Sequence, residues 1–487
     1  MRSIIDKKTR IAIGLAIILA LIGAASAVAQ GGLTYTSGVQ VVNLESTTAS
    51  ITLKFYDPDG NLAGSLPDTI SGNSSKTYFP LTGVSAGFKG SMVIEADKQV
   101  AAIANLITTD FSYNASTTGF SGGSTSFSLP LVMCNNSGFN TFFSVQNAGG
   151  GADANVTINY IPGSDGKSGV SESATIKMGA AKTFDQTVGS STKNCTDLAG
   201  SSGKFIGSAT ITSDQPVVAT AMQLNTGSFK VLMGYNGFTS GSAAVSLPLV
   251  MANNNGFYTG IQVQNVSGSS TDVTIDYSPN TAGTFEPINE TFTLAAGASK
   301  TIIQNGGAAS NGGKNDWTGK GKYIGAANVT SSPSQPLVAI VNQVSLGGGG
   351  VGPFGTAYEG FDPSTATANV SAPLVMANNS GYYTGIQVQN VDASNCANVT
   401  IDYGPNVAPG GTFNPANESF GLASSASKTI IQNGPSPANG GVNDWSTAGK
   451  YIGSAEISAP GCTIVAIINE VSIASGDRYM TYDGFNH

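Results

Sequence analysis

The hydrophobic and polar positions of this chain follow a pattern that recurs as whole blocks. The heptad Gly260-Ile261-Gln262-Val263-Gln264-Asn265-Val266 returns unchanged as Gly385-Ile386-Gln387-Val388-Gln389-Asn390-Val391. Looser copies, Gly38-Val39-Gln40-Val41-Val42-Asn43-Leu44 and Ser144-Val145-Gln146-Asn147, stand upstream, so a marker falls at Asn43, Asn147, Asn265 and Asn390. Within a copy, Ile261 and Val263 point one way and Gln262 and Gln264 the other, the period-two signature of a strand with one buried and one wet face. Markers roughly 100 to 125 residues apart are too widely spaced for a solenoid turn and suit whole tandem domains.

The two best-matched blocks predict the rest of the unit. Each opens on an apolar strand containing proline, Ser246-Leu247-Pro248-Leu249-Val250-Met251 or Ser371-Ala372-Pro373-Leu374-Val375-Met376, and proline favours a sheet edge. An Asn-rich turn and the heptad follow, then a second alternating strand, Val273 to Tyr277, with copies at Val399 to Tyr403, Val156 to Tyr160 and Ile51 to Tyr56. Further strands are predicted at Glu290 to Leu294, Lys300 to Gln304 and Tyr323 to Val329, with the apolar run Leu337 to Val341 as a central strand. Blocks close on an aromatic tag: Tyr235-Asn236-Gly237-Phe238, Tyr358-Glu359-Gly360-Phe361 and Tyr482-Asp483-Gly484-Phe485. No stretch has helical periodicity. The expected fold is all-β: four antiparallel β-sandwich repeats at residues 30–124, 125–243, 244–368 and 369–487, after a leader at 1–29. Linkers such as Thr239 to Val245 and Asp362 to Val370 are small and polar, which permits hinging.

The opening strand occurs three times, at Ser128 to Met133, Ser246 to Met251 and Ser371 to Met376, although there are four blocks. Repeat one is therefore expected to begin at its second strand and to expose an edge able to pair with another chain, unless Gln30 to Thr36 or another local segment covers it.

Composition narrows the partners. Charged residues make up 10% of the chain, with net charge −8 and pI near 4.7, and no basic cluster of the kind nucleic acid or anionic membranes require follows the first ten residues. That start resembles an export signal: Arg2, Lys7, Lys8 and Arg10 precede the apolar residues 11–25, and Ala25-Ser26-Ala27 or Ala27-Val28-Ala29 offers a cleavage site. Removal is expected after Ala27 or Ala29, because about 15 apolar residues fall short of the roughly 20 needed to span a bilayer. A secreted or cell-surface protein, not inserted in a membrane after cleavage, is the expected result. Four cysteines suit that compartment, and the simplest pairing is one bridge inside repeat two, Cys134 with Cys195, and one inside repeat four, Cys396 with Cys462.

Chemistry is sparse. The sole histidine, His487, is the last residue, so no Ser-His-Asp or Cys-His pair is expected, and carboxylates such as Glu286, Glu290 and Asp316 show no spacing that sets two across a cleft. No enzyme is predicted. The best candidate site is a loop present only in repeats three and four, Asn311-Gly312-Gly313-Lys314-Asn315-Asp316-Trp317 and Asn439-Gly440-Gly441-Val442-Asn443-Asp444-Trp445. If exposed, Trp317 and Trp445 would stack on a sugar while Asn315, Asp316, Asn443 and Asp444 bond its hydroxyls; otherwise the indoles cap the sandwich and the polar groups close the turn. Calcium is a third option, with Asn311, Asn315 and Asp316 as hard oxygen ligands, though one carboxylate per loop is thin.

The strand pattern and tandem layout of residues 38–487 resemble the immunoglobulin-like and fibronectin-III-like modules of exported bacterial surface proteins. The resemblance implies a non-enzymatic structural or adhesive protein acting through self-association or exposed edges. A carbohydrate-binding protein using the two Trp loops is the alternative, with cell-surface glycans as partners.

Overall fold

The computed structural model describes residues 15–19 and 33–487, apart from residues 86, 164–168, 188–190, 201–202, 280, 282, 348–352 and 473–476. The chain is all-β, built from antiparallel sheets. In repeat three one sheet runs Ala244–Ala252, Tyr323–Ser332, Thr271–Tyr277, Glu290–Leu294, and the facing sheet runs Ser299–Ile303, Phe257–Asn265, Leu337–Ser345, Phe354–Glu359. Repeat four keeps this order and adds Phe485–Asn486 beside its opening strand. Each repeat has its own apolar cluster between its sheets, that of repeat three including Val245, Ile261, Val263, Ile275, Trp317 and Val341. In repeat two the strand Phe205–Asn225 is long enough to run through both sheets and join them. Helix is confined, among the described residues, to Cys195–Ala199, Ala308–Asn311 and the 3₁₀ turn Pro363–Thr365; no described helix is long and apolar enough to cross a membrane.

The recurring residues have recurring tasks. Buried Asn265 donates from Nδ2 to the carbonyls of Ser269 (2.7 Å), Ala295 (3.1 Å) and Leu294 (3.2 Å), while its Oδ1 accepts the Ser267 N–H. Asn43, Asn147 and Asn390 make the corresponding bonds, so the marker residue satisfies backbone groups freed where strands diverge. Proline in the opening strand interrupts its ladder, shifting register between Leu247 and Val250 and between Ala372 and Val375. The closing tyrosine repairs the gap: Tyr358 Oη accepts the Leu249 N–H at 3.1 Å and donates to the Leu249 carbonyl at 2.7 Å, and Tyr482 treats Leu374 likewise. Glycine follows that tyrosine because a Cβ on Gly360 or Gly484 would lie 2.4 Å from Val245 or Val370.

The predicted bridges are present, Cys134–Cys195 and Cys396–Cys462. Two expectations change. The opening place in repeat one is filled by Leu15–Leu19 of the apolar leader, which pairs antiparallel with Ser91–Ala96 and sets Leu19 opposite Met92. Gln30 to Thr36 does not fill it, Tyr35–Asn43 being the heptad strand itself, and the cleavage sites at Ala27 and Ala29 lie outside the described residues. The repeats also depart from a string of hinged modules. Their closing strands, Asn114–Thr118, Val231–Asn236, Phe354–Glu359 and Tyr479–Asp483, pack one against the next, and the last packs against the first. The closing strands therefore form a closed ring, with Tyr479–Asp483 seated against Asn114–Thr118.

Candidate functional site

The most specific polar chemistry of the molecule lies in the four seams of this ring. One inward position of the penultimate strand carries Leu106, Gln223, Gln343 and Glu470 in repeats one to four; the residue before it is Asn105, Met222, Asn342 and Asn469. At each seam the first position of one repeat meets the second position of the next. Between repeats two and three, Gln223 and Asn342 exchange two amide hydrogen bonds of 3.0 and 2.8 Å. Gln343 and Asn469 do the same between three and four, at 3.1 and 3.3 Å, and the Tyr479 hydroxyl donates to the Gln343 carbonyl oxygen. Between repeats one and two, Leu106 and Met222 instead pack in a buried apolar cluster with Tyr35, Phe142, Leu224 and Leu232. Between four and one, a carboxyl group replaces the amide: Glu470 Oε2 accepts the Asn105 Nδ2–H at 3.2 Å, and Oε1 is buried with no hydrogen-bond partner among the described residues.

The heptad supplies a second layer of contacts. Gln262 donates to the carbonyl of Pro130, Gln387 to Pro248 and Gln40 to Pro373, each reaching the opening strand of the preceding repeat around the ring. Ser144 stands at this position in repeat two, whose neighbour has no such proline. The glutamine face, expected to meet water, is thus sealed, with Gln262 2% and Gln264 0% exposed. Ile340, Ile467 and Ile103 add apolar contact by entering the cores of repeats two, three and four.

Carboxyl groups gather where the closing strands meet. Asp477 is buried and tied to all three other repeats: Oδ2 accepts the Leu232 N–H at 2.7 Å, Oδ1 accepts the Gly355 N–H at 2.9 Å, its carbonyl accepts the Asn114 Nδ2–H and its N–H donates to the Ser112 carbonyl. Elsewhere on these strands Asn236 donates to Thr118, Glu359 accepts the Asn236 N–H, and Asp483 and Glu359 are hydrogen-bonded to each other. Two carboxyls in contact require a proton between them. Loss of water raises both above the usual carboxylate range, as burial does for Asp477 and for Glu470, whose carboxyl is pushed up to about 8.

The loops singled out in the sequence lie elsewhere and serve their own repeats. Trp317 and Trp445 are 1% and 0% exposed, packed edge-on or tilted against Phe285, Tyr277 and Tyr323 and against Phe413, Tyr403 and Tyr451. Neither presents an indole face to a sugar, because the loop folds inward over the end of the core. Asn315 and Asn443 are buried and bonded to Glu290 and Glu418 at 2.7 Å, which also consumes Glu290 as a candidate acid. Asp316 and Asp444 are turn formers: the Thr318 N–H bonds Asp316, the Ser446 hydroxyl and N–H bond Asp444, and these bonds hold both carboxyls below their ordinary range. Asn311 spends its amide on the Asn315 carbonyl and the Gly313 N–H, so the three oxygens considered for calcium do not converge on an open position.

His487 lines a cleft of about 490 Å³ between repeats four and one with Asp402, Asn43 and Asn73. Its Nε2 lies 3.0 Å from Glu456 Oε1 and 2.9 Å from Ser371 Oγ, and Ser371 also donates to Glu456. One ring nitrogen faces both partners, which is an ion-pair geometry and not the two-sided relay a nucleophilic serine needs. The Glu456 hydrogen bond raises the imidazole above its ordinary value.

Over residues 14–187 the chain matches the sequence model of a family of unknown function, DUF5719. No curated protein matches it. Among solved structures it is similar to one titled "Crystal Structure of Thermotoga maritima 1070", at 16% identity, covering 22% of this chain and 93% of that one, with a TM-score of 0.18.

Proposed function

We propose that this is an exported, non-enzymatic structural protein of the cell exterior, whose four immunoglobulin-like sandwich repeats close into a ring that acts as a rigid spacer or adhesive platform. The observation that carries the reading is the cyclic packing of the four closing strands, with equivalent residues meeting at every seam. Buried amides and carboxyls are used to join repeats, which is what a protein selected for shape requires. Two intramolecular disulfides and a hydroxyl-rich, weakly charged composition suit an oxidising exterior. Two measurements on protein made by its own cell test this. Fractionation with thiol labelling should find the chain in the envelope or medium with no free thiol, and electron microscopy should show four lobes around one axis. A reduced cytosolic pool, or turnover in a broad hydrolase screen, would sink it.

A further inference from the structure

Two seams keep open clefts in equivalent places. One, of about 500 Å³, lies between repeats two and three; the other, of about 380 Å³, lies between repeats three and four. Met133, Ile206 and Ile303 line the first, and their counterparts Met251, Ile324 and Ile431 line the second. Each also contains a lysine, Lys204 or Lys322, and no carboxylate among the described residues. Both volumes fall in the roughly 300–1,000 Å³ range of small-molecule sites. We propose that these are twin binding sites for an amphipathic anion, an aliphatic chain ending in one carboxylate. The proposal goes beyond the structural reading above and does not depend on it.

One backbone position decides how much room a seam has. The residue paired with Asn342 is Gly260, and the one paired with Asn469 is Gly385. A Cβ there would meet nothing nearer than Cγ1 of Ile303 or Ile431, at 3.9 Å, so each glycine leaves the floor of its cleft bare. In repeat two the same register position, paired with Met222, holds Phe142, which is 1% exposed in the apolar cluster of the seam with repeat one. In repeat one it is Gly38, paired with Asn105, and there the Phe79 ring takes up the room, its Cδ2 3.2 Å from where a Cβ would stand. The fold thus accommodates an aromatic ring at this place, and repeats three and four do without one.

The walls select the class of ligand. Their strand amides and hydroxyls are already bonded within the protein: Thr301 to Gln262, Gln262 to the Pro130 carbonyl and Asn342 to Gln223 in the first cleft, Thr429 to Gln387 and Asn469 to Gln343 in the second. A sugar would find few groups left for its hydroxyls, whereas an aliphatic chain needs only contact. Ile206 and Ile431, each 36% exposed, would be covered by it. One lysine without a carboxylate in each lining, in a chain of net charge −8, favours an anionic head group.

Isothermal titration of the full chain with octanoate, decanoate and dodecanoate, each kept below its micelle concentration, tests this. Two sites per chain should appear, with affinity rising about fourfold per added methylene until a cleft is filled. Gly260→Phe should remove one site and Gly385→Phe the other, with thermal melts checking that each variant folds, while Gly260→Ala should keep both. The larger cleft, left in Gly385→Phe, should go on gaining with chain length after the one left in Gly260→Phe has stopped. Decanol, which lacks the charge, should bind about two- to fivefold more weakly than decanoate. Phosphatidylcholine vesicles identify the source of the chain: cosedimentation abolished by decanoate marks a lipid tail, and protein left in the supernatant marks the free acid. No binding of any acid to wild type overturns the proposal whether or not the variants fold. Affinity that ignores chain length, binding that survives both Phe substitutions, or decanol binding as tightly as decanoate overturns it as well. None of these results touches the structural reading, which is tested by cellular location and thiol state.

Discussion

The seam between repeats one and two and the seam between repeats four and one occupy equivalent places and use opposite chemistry. Leu106 meets Met222 in a buried apolar cluster, while Glu470 meets Asn105 with one carboxyl oxygen that has no hydrogen-bond partner among the described residues. The first joins consecutive repeats through contact area, which is indifferent to pH. The second joins the chain's extremes through a titratable group, and its strength depends on a proton. One backbone geometry therefore supports either a permanent joint or a conditional one, and the choice is made by two side chains.

Breaking the apolar joint should have the largest effect. Met222→Ala or Leu106→Ala removes buried methylenes and leaves a void, and each is expected to lower stability by about 2–5 kcal/mol in urea unfolding of the full chain. Exchanging the chemistries sharpens the comparison. Leu106→Gln alone strands an amide opposite Met222 and should cost about 1–3 kcal/mol, whereas adding Met222→Asn recreates the pair found at Gln223 and Asn342 and should recover at least ~1 kcal/mol. Simple additivity of the two losses would mean the seams are not interchangeable. At the conditional joint, Glu470→Gln should change stability little near pH 4 and raise it by about 1–3 kcal/mol near pH 8. The sign follows from a carboxyl raised to about 8 in the closed ring, whose stabilising protonation is complete below the ordinary value and lost as pH rises through the raised one. Thermal melts of both proteins at the two pH values check this. The smallest effect concerns the tag. Tyr482→Phe removes the bond to the Leu374 carbonyl and should cost about 0.5–1.5 kcal/mol, while Thr117, its counterpart in repeat one, has no proline strand to hold and should tolerate Thr117→Val within about 0.5 kcal/mol by the same melts.

Much of the strand layout was legible because alternation and turn residues are local. Glu290–Leu294 has the predicted bounds, Leu337–Ser345 is an interior strand, and the cysteine pairing follows from their placement in repeats two and four. The seams were not legible for a physical reason. Alternation says that the two faces of the Gln262 strand differ, without saying what covers the polar one, and an amide is as well satisfied by a neighbouring carbonyl as by water. The Trp loops misled in the opposite way: Asn, Gly and Asp mark a turn at the surface, yet an indole is long enough to reach the core from there. Residues 15–19 carry an ambiguity of composition, since an apolar run suits an export signal and a buried strand equally.

Fusion of the four copies into one polypeptide has a consequence for inheritance. In an assembly of four identical subunits a single codon change alters every contact at once, so no joint can acquire a property its siblings lack. Here a mutation lands once. Threonine, asparagine, glutamate and aspartate can stand at the four places occupied by Thr118, Asn236, Glu359 and Asp483, and a group that would be ruinous in fourfold repetition becomes tolerable as a single exception.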